Sequence, residues 1–326
     1  DSDKIYMVGG SMGGASGMIY ANNHLDPSRP MVAATASASG ILDCERRAIE
    51  MNGNNSMNEW FGGEWDEVPF EYHRNSAIYF QDLNQSMHTN LRYTPIYFDF
   101  GISEPHRSHA EEMHEILIGY NENMWIDTNP TGSHGFSVFN EHHVCDWLSN
   151  FTLNNHPREL DLNLDEPSRG YWVEAVNQID SLDFISIEAE KFSNSIDIYA
   201  LENTDSLILH IINDEIENYN ISIHTPISGL GLSGVSLISL SNSDFDLNLN
   251  NDGESELSYT YSQSVIWINS DIQAENQTIS GDFNFSFEEV LQSTGDINQD
   301  QDCNILDIIF MVNHIIETSQ LNSIQI

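Results

Sequence analysis

Gly9-Gly10-Ser11-Met12-Gly13 stands between a short apolar run, Lys4 to Val8, and a proline-free stretch of small residues, Gly13 to Asn22. A serine with glycine two residues before it and two after suits a strand-to-helix turn too sharp for side chains on either flank. That turn puts Ser11 at a helix N-terminus, where the Met12 backbone N–H can point at an oxyanion and the helix dipole adds to its pull. Such a string recurs by chance, so its weight depends on the rest of the chain.

Downstream of the serine, strand and helix patterns alternate. Met31 to Ala38, Thr94 to Phe100 and Met124 to Thr128 read as strands, while His106 to Tyr120 and Glu141 to Asn150 read as helices. This is the layout of a parallel sheet with crossover helices, an α/β fold over residues 1–154. From 165 to 290 the period changes to two, as in Phe184-Ile185-Ser186-Ile187-Glu188 and Ser264-Val265-Ile266-Trp267-Ile268, with turn residues such as Asn251-Asp252-Gly253 between runs. That pattern predicts an antiparallel β-sandwich, joined to the first unit near Asn154-Asn155-His156-Pro157. A third segment, 294–326, is one loop followed by one amphipathic helix.

Bulk composition narrows the function. Among 326 residues, 51 acidic against 10 basic side chains give a net charge of -41, which repels nucleic acid and anionic membrane surfaces alike. Such acidity is tolerable in saline or calcium-rich surroundings, where screening is short-ranged, roughly 8 Å at physiological salt. No apolar run is long enough to span a membrane. The three cysteines, Cys44, Cys145 and Cys303, are too few for a disulfide scaffold; Cys44 and Cys145 could pair in an oxidising compartment, with two separate buried thiols the favoured reading.

After the serine come an acid and a histidine in that order. Thr94 to Gly101 runs on into Ile102-Ser103-Glu104-Pro105, a carboxylate beyond a strand and a glycine turn, and Gly132-Ser133-His134-Gly135-Phe136 comes after the next strand. With these residues the chain resembles the α/β-hydrolase family, in particular its esterases and prolyl-oligopeptidase-like serine hydrolases. The resemblance implies Ser11 as nucleophile, Glu104 as acid, His134 as base and the Met12 N–H as an oxyanion donor. Asp99 is a rival acid, although it should lie within the strand, and Asp127 is a weaker one. Phe100 stands where the family often has histidine, and Glu104 where it more often has aspartate.

The resemblance also implies elements before the nucleophile strand, including the loop that supplies a second oxyanion N–H. The chain is therefore expected to be the C-terminal half of an α/β-hydrolase sheet, with an exposed edge beside the serine strand and little activity alone. Between 44 and 93 lie Trp60, Phe61, Trp65, Phe70, Tyr72 and Tyr79, either lining an acyl or sugar pocket or forming a cap's own core. His106, His109 and His114 lack the spacing of a zinc hydrolase motif and read as a solvated helix face.

Near the other end, Asp296, Asn298, Asp300, Asn304 and Asp307 occupy positions 1, 3, 5, 9 and 12 of a loop, with the Asp302 carbonyl at position 7. Hard oxygen ligands at that spacing suit Ca²⁺ in an EF-hand-like loop, with Gln301 at the usual glycine position raising the cost of the turn. The segment resembles a single, incomplete dockerin type I repeat. That implies an extracellular bacterial enzyme of polysaccharide breakdown, docked to a cohesin-like partner. The expected activity is a secreted serine esterase acting on carbohydrate esters or a polyester. The alternatives are a prolyl-oligopeptidase-type peptidase, or a non-catalytic adhesion or assembly protein.

Overall fold

The computed structural model describes residues 1–52, 55–129, 131–193, 195–210, 218–233, 257–262, 265–270 and 279–286. The first unit is a four-stranded sheet of β1 (Tyr6–Gly10), β2 (Ala34–Ala38), β3 (Ile96–Gly101) and β4 (Met124–Asn129), side by side in chain order. All three pairings are parallel, so every return crosses the sheet outside the strands. Those returns carry α1 (Met12–Asn23), then α2 (Cys44–Met51), α3 (Met57–Phe61) and α4 (Pro69–Arg74) in one long excursion, and α5 (Arg107–Leu117); α6 (Glu141–Leu148) comes after β4.

Strand alternation sorts the core. Ile96, Phe98 and Phe100 of β3 pack with Met18 of α1 and with Ala110, Met113 and Leu117 of α5. Tyr97, pointing the other way, packs with Ala34 and Ala36 of β2 and with Val144 and Leu148 of α6. Helices thus cover both faces, as a parallel sheet requires. β1 lies at the edge of this sheet, with Val8 exposed.

Beyond residue 158 the chain forms two further sheets. One has the order β13-β14-β12-β10-β7-β6, where β6 is Arg169–Gly170, β7 Val173–Ala175, β10 Ser206–His210, β12 Gly229–Ser233, β13 Leu257–Ser262 and β14 Val265–Ser270. The other is β15-β11-β9-β8-β5, with β5 Glu159–Leu164, β8 Ile185–Lys191, β9 Ser195–Glu202, β11 Asn218–Ile227 and β15 Ile279–Ser286. Alternate residues of both, among them Leu162, Ile187, Ile198 and Ile221 from one and Val173, Leu207 and Leu230 from the other, share a single buried cluster.

The expectation of a wholly antiparallel arrangement needs correction: β9 with β11 and β10 with β12 run parallel. Successive strands from β9 to β12 alternate between the sheets, so each strand's neighbour is the next but one in sequence, and two reversals restore its direction.

The two units interlock. Leu25 and Met31, which belong to the first unit by sequence, are buried in the cluster of the second. Asn90, 1 % exposed, donates to the carbonyls of Asn22 (3.0 Å) and Asn163 (2.7 Å) and accepts from the Asn163 N–H (2.9 Å). Arg74 donates through Nε and an Nη to Asp165 Oδ2 at 2.8 and 2.5 Å.

Candidate active site

The turn between β1 and α1 holds Ser11 at φ 57°, ψ −122°, a left-handed-side conformation rare outside glycine, with its N–H donated to the Ala38 carbonyl at 2.7 Å. A Cβ on Gly9 would stand 2.1 Å from the Gly13 carbonyl oxygen, so the turn can close only over glycine there. Gly13 itself has open space around the position of a Cβ, and of the two flanking glycines only Gly9 is sterically required. On Gly10 a Cβ would meet the Phe136 backbone nitrogen at 2.7 Å, because the histidine loop packs directly on the turn. Met12 begins α1, so its N–H has no acceptor within the helix.

The histidine loop is built by Asn129 at the end of β4. Its side-chain oxygen accepts from the N–H groups of Thr131 (2.9 Å) and Gly132 (2.7 Å), and its amide donates to the Val138 carbonyl at 2.8 Å. Gly135, at φ 62°, turns the chain after His134 and donates its N–H to Ser39 Oγ at 3.1 Å. Ser39, itself at φ 57°, escaped the reading of the sequence; its one visible signal is the run of small residues Ser37-Ala38-Ser39-Gly40 across the end of β2.

The structure brings three of the sequence candidates together. His134 Nε2 lies 2.8 Å from Ser11 Oγ, and His134 Nδ1 lies 2.8 Å from Glu104 Oε2. The Glu104 side chain is only 2 % exposed, whereas that of His134 is 45 % exposed, so the relay runs from a buried carboxylate through an exposed imidazole to a half-buried serine. In this geometry the carboxylate fixes the proton on Nδ1 and leaves the Nε2 lone pair toward the hydroxyl.

The rival acids lie elsewhere. Asp99 sits inside β3, in register with Asp127 of β4, and neither has a hydrogen bond to His134 among the described residues. Burial, then the charge of Asp127, pushes the Asp99 carboxyl up to about 7, and its Oδ1 has no hydrogen-bond partner among the described residues.

Two readings are corrected here. The histidines of the α5 region do not form a solvated face: His106 is 5 % exposed and His109 fully buried, while His114 is half-buried. His109 Nδ1 lies 3.3 Å from the Leu42 N–H, and burial takes its imidazole down to about 4, which marks a neutral side chain accepting backbone hydrogen bonds. His106 donates from Nδ1 to the Ser39 carbonyl at 2.9 Å, and burial lowers its imidazole too. Cys44 is a buried free thiol, pushed up to about 12 by desolvation, but Cys145 is free and exposed on α6 rather than buried.

The aromatic excursion divides. Trp60 and Phe61, with Met12, Ile19, Ile41 and Met57, line an open, mainly apolar cavity of about 460 Å³ that begins at the residue after Ser11. Tyr72 is core, with Trp65 packed against its cluster, and Phe70 packs on Phe184 of the second unit. Tyr79 stacks on His73, whose Nε2 meets Glu45 Oε2 at 2.9 Å. The calcium-loop candidates Asp296, Asn298, Asp300, Asp302, Asn304 and Asp307 lie outside the described residues.

No protein-family model matches the chain, and no curated protein does. Solved structures that resemble it include an esterase candidate from Staphylococcus aureus (15 % identity, TM-score 0.29) and a hormone-sensitive lipase from a metagenome library (15 %, 0.30). A third is a lipase-esterase related protein from Clostridium acetobutylicum ATCC 824 (23 %, 0.27). Each match covers 46 % of this chain, which spans 51 %, 54 % and 66 % of the three neighbours in turn. No helix among the described residues is long and apolar enough to cross a membrane.

Proposed function

We propose that this chain carries the catalytic residues of a serine hydrolase of carboxylic esters, with Ser11 as nucleophile, His134 as general base and Glu104 as its orienting acid. The observation that carries this reading is the pair of 2.8 Å contacts linking Ser11, His134 and Glu104 through opposite nitrogens of one imidazole. Ser11 Oγ attacks the ester carbonyl while its proton passes to His134 Nε2, and the charge left on the carbonyl oxygen meets the Met12 N–H. The imidazolium, steadied by Glu104, returns that proton to the leaving alcohol. Water then attacks the acyl-enzyme by the same route, and the acid is released.

The cavity beside Met12 favours an apolar acyl or aryl group over a sugar on that side, since Met, Ile, Trp and Phe side chains offer few hydrogen bonds. A carbohydrate ester bearing such an acyl group, with the sugar left toward solvent, or an aromatic polyester would suit it. The extracellular setting, the Ca²⁺ loop and a cohesin-like partner stay with this proposal on the strength of the sequence 294–326, and the second unit serves in it as an accessory β-sandwich.

The test is labelling of the full chain by a fluorophosphonate probe, with wild type against Ser11→Ala, and then hydrolysis of p-nitrophenyl esters of graded chain length. Labelling lost in Ser11→Ala supports the reading. A folded protein that never labels refutes it and turns attention to a non-catalytic adhesion or assembly role.

A further inference from the structure

Behind the relay, two acceptor atoms are buried without partners among the described residues. Glu104 gives Oε2 to His134, but its Oε1 has no hydrogen bond. His106 commits Nδ1–H to the Ser39 carbonyl, which leaves Nε2 as a bare lone pair, and that nitrogen also has no partner. Both residues are more than nine-tenths buried, at 9 % and 5 % exposure. Orphaned acceptors of this kind are costly unless a donor or a cation reaches them. One ligand atom each from Glu104, His106 and His134 fall within 4.8 Å of one another, and the His106 and His134 rings meet edge to face at 5.3 Å.

We propose that Glu104, His106 and His134 form a binding site for a divalent transition-metal ion of the zinc type, whose filling silences Ser11. Two imidazole nitrogens and one carboxylate oxygen are a zinc donor set, while calcium and magnesium would ask for more oxygens than are present. His106 already has the outer support that metal-bound histidines show, its second nitrogen tied to a backbone carbonyl, which fixes the tautomer with Nε2 free. Tetrahedral bonds of ~2.0–2.2 Å set ligand atoms roughly 3.3 Å apart, so the 2.8 Å contact between Glu104 and His134 would widen by about half an ångström. Of the three residues only His134 is exposed, its side chain at 45 % against 2 % for Glu104.

The silencing arises from the tautomer and rests on the hydrolase reading above. A metal on His134 Nδ1 takes the lone pair that the ring gains when the Nδ1 proton moves, through solvent, to Nε2. The ring keeps one proton, but Nε2–H now donates to Ser11 Oγ and has no lone pair with which to accept its proton.

The experiment titrates ZnCl₂ into the full chain by calorimetry in calcium-saturated buffer, which occupies the acidic surface and the candidate calcium loop. Fluorophosphonate labelling is tracked in parallel, and Co²⁺ absorption reports the geometry of the wild-type site without any mutation. Expected are one tight zinc per chain, a tetrahedral cobalt spectrum, and labelling that falls about tenfold or more and returns with a transition-metal chelator. In His106→Gln, checked for folding by circular dichroism, affinity drops by more than the roughly 10- to 100-fold that loss of a ligand's outer partner costs, and metal-free labelling persists. No binding above the calcium background, or equal binding in His106→Gln, overturns the site. Stoichiometric zinc lost in His106→Gln, with no labelling in either protein, keeps the site and removes the hydrolase reading. Labelling unchanged while zinc is bound keeps the hydrolase reading and overturns the silencing.

Discussion

Replacing Glu104 by Gln tests the acid assignment against Asp99. The Glu104 carboxylate lies 2.8 Å from His134 Nδ1, and His134 Nε2 lies the same distance from Ser11 Oγ, so whatever sets the proton on one nitrogen decides the role of the other. An amide can turn its NH₂ toward Nδ1, which moves the ring proton to Nε2 and converts the base into a donor. It also removes the charge that balances the imidazolium. Loss of the equivalent carboxylate elsewhere costs about 10⁴-fold in kcat, which at ~1.36 kcal/mol per tenfold corresponds to about 5.4 kcal/mol of transition-state stabilisation. Gln keeps the size of Glu, so the melting temperature should move little. The assay is the second-order rate of fluorophosphonate labelling for wild type, Glu104→Gln and Asp99→Asn, each at pH 6 to 9. Glu104→Gln should label slowly at every pH, and Asp99→Asn should label like wild type. If Asp99→Asn abolishes labelling while Glu104→Gln retains it, the acid has been misassigned.

Asp99 should instead govern stability. Its carboxyl is raised from 3.8 to about 7, so between those values the unfolded chain has released a proton that the folded chain keeps. Stability then falls as pH rises through that window and levels off above it, and Asp99→Asn should recover on the order of 4 kcal/mol at pH 8 by urea unfolding. Gly10→Ala should sharply reduce labelling, because its Cβ collides with the Phe136 backbone and displaces the His134 loop; a rate equal to wild type would refute the packing described. Trp60→Ala, at a residue 62 % exposed, should raise KM for long-chain and aryl esters by about tenfold while acetate esters and the melting temperature change little. Iodoacetamide at pH 8 should modify the exposed Cys145 and spare Cys44, whose thiol titrates near 12, as peptide mass spectrometry would register.

The parts of the site legible in the sequence are those where the backbone needs a particular residue. Gly9 is demanded by a 2.1 Å approach, Gly135 by a positive φ, and the order serine, acid, histidine comes from the order of strand ends. Asp99 and Glu104 could be told apart only by where β3 stops, since five residues separate them and strand ends are the least certain part of any pattern. Period-two alternation identified strands in the second unit but says nothing of which strand lies beside which, so the parallel pairs were hidden. His106 and His109 were misread because three polar-looking positions on a short helix resemble a wet face; burial there depends on the loop after β2, which arrives from 67 residues away in sequence.

The burial of Leu25 and Met31 in the second unit's cluster, with Asn90 bonded across the join, has a consequence for how the protein comes apart. A linker can be cut or lengthened without harm when each side keeps its own core. Here the loop carrying Leu25 and Met31 runs from the end of α1 to the start of β2, so the helix that follows Ser11 is anchored at its far end in the other unit. Loosening the sheets would loosen the helix that starts one residue after Ser11. The β-rich unit therefore acts as a buttress for the serine turn, and the two should melt as one cooperative block rather than as beads on a string.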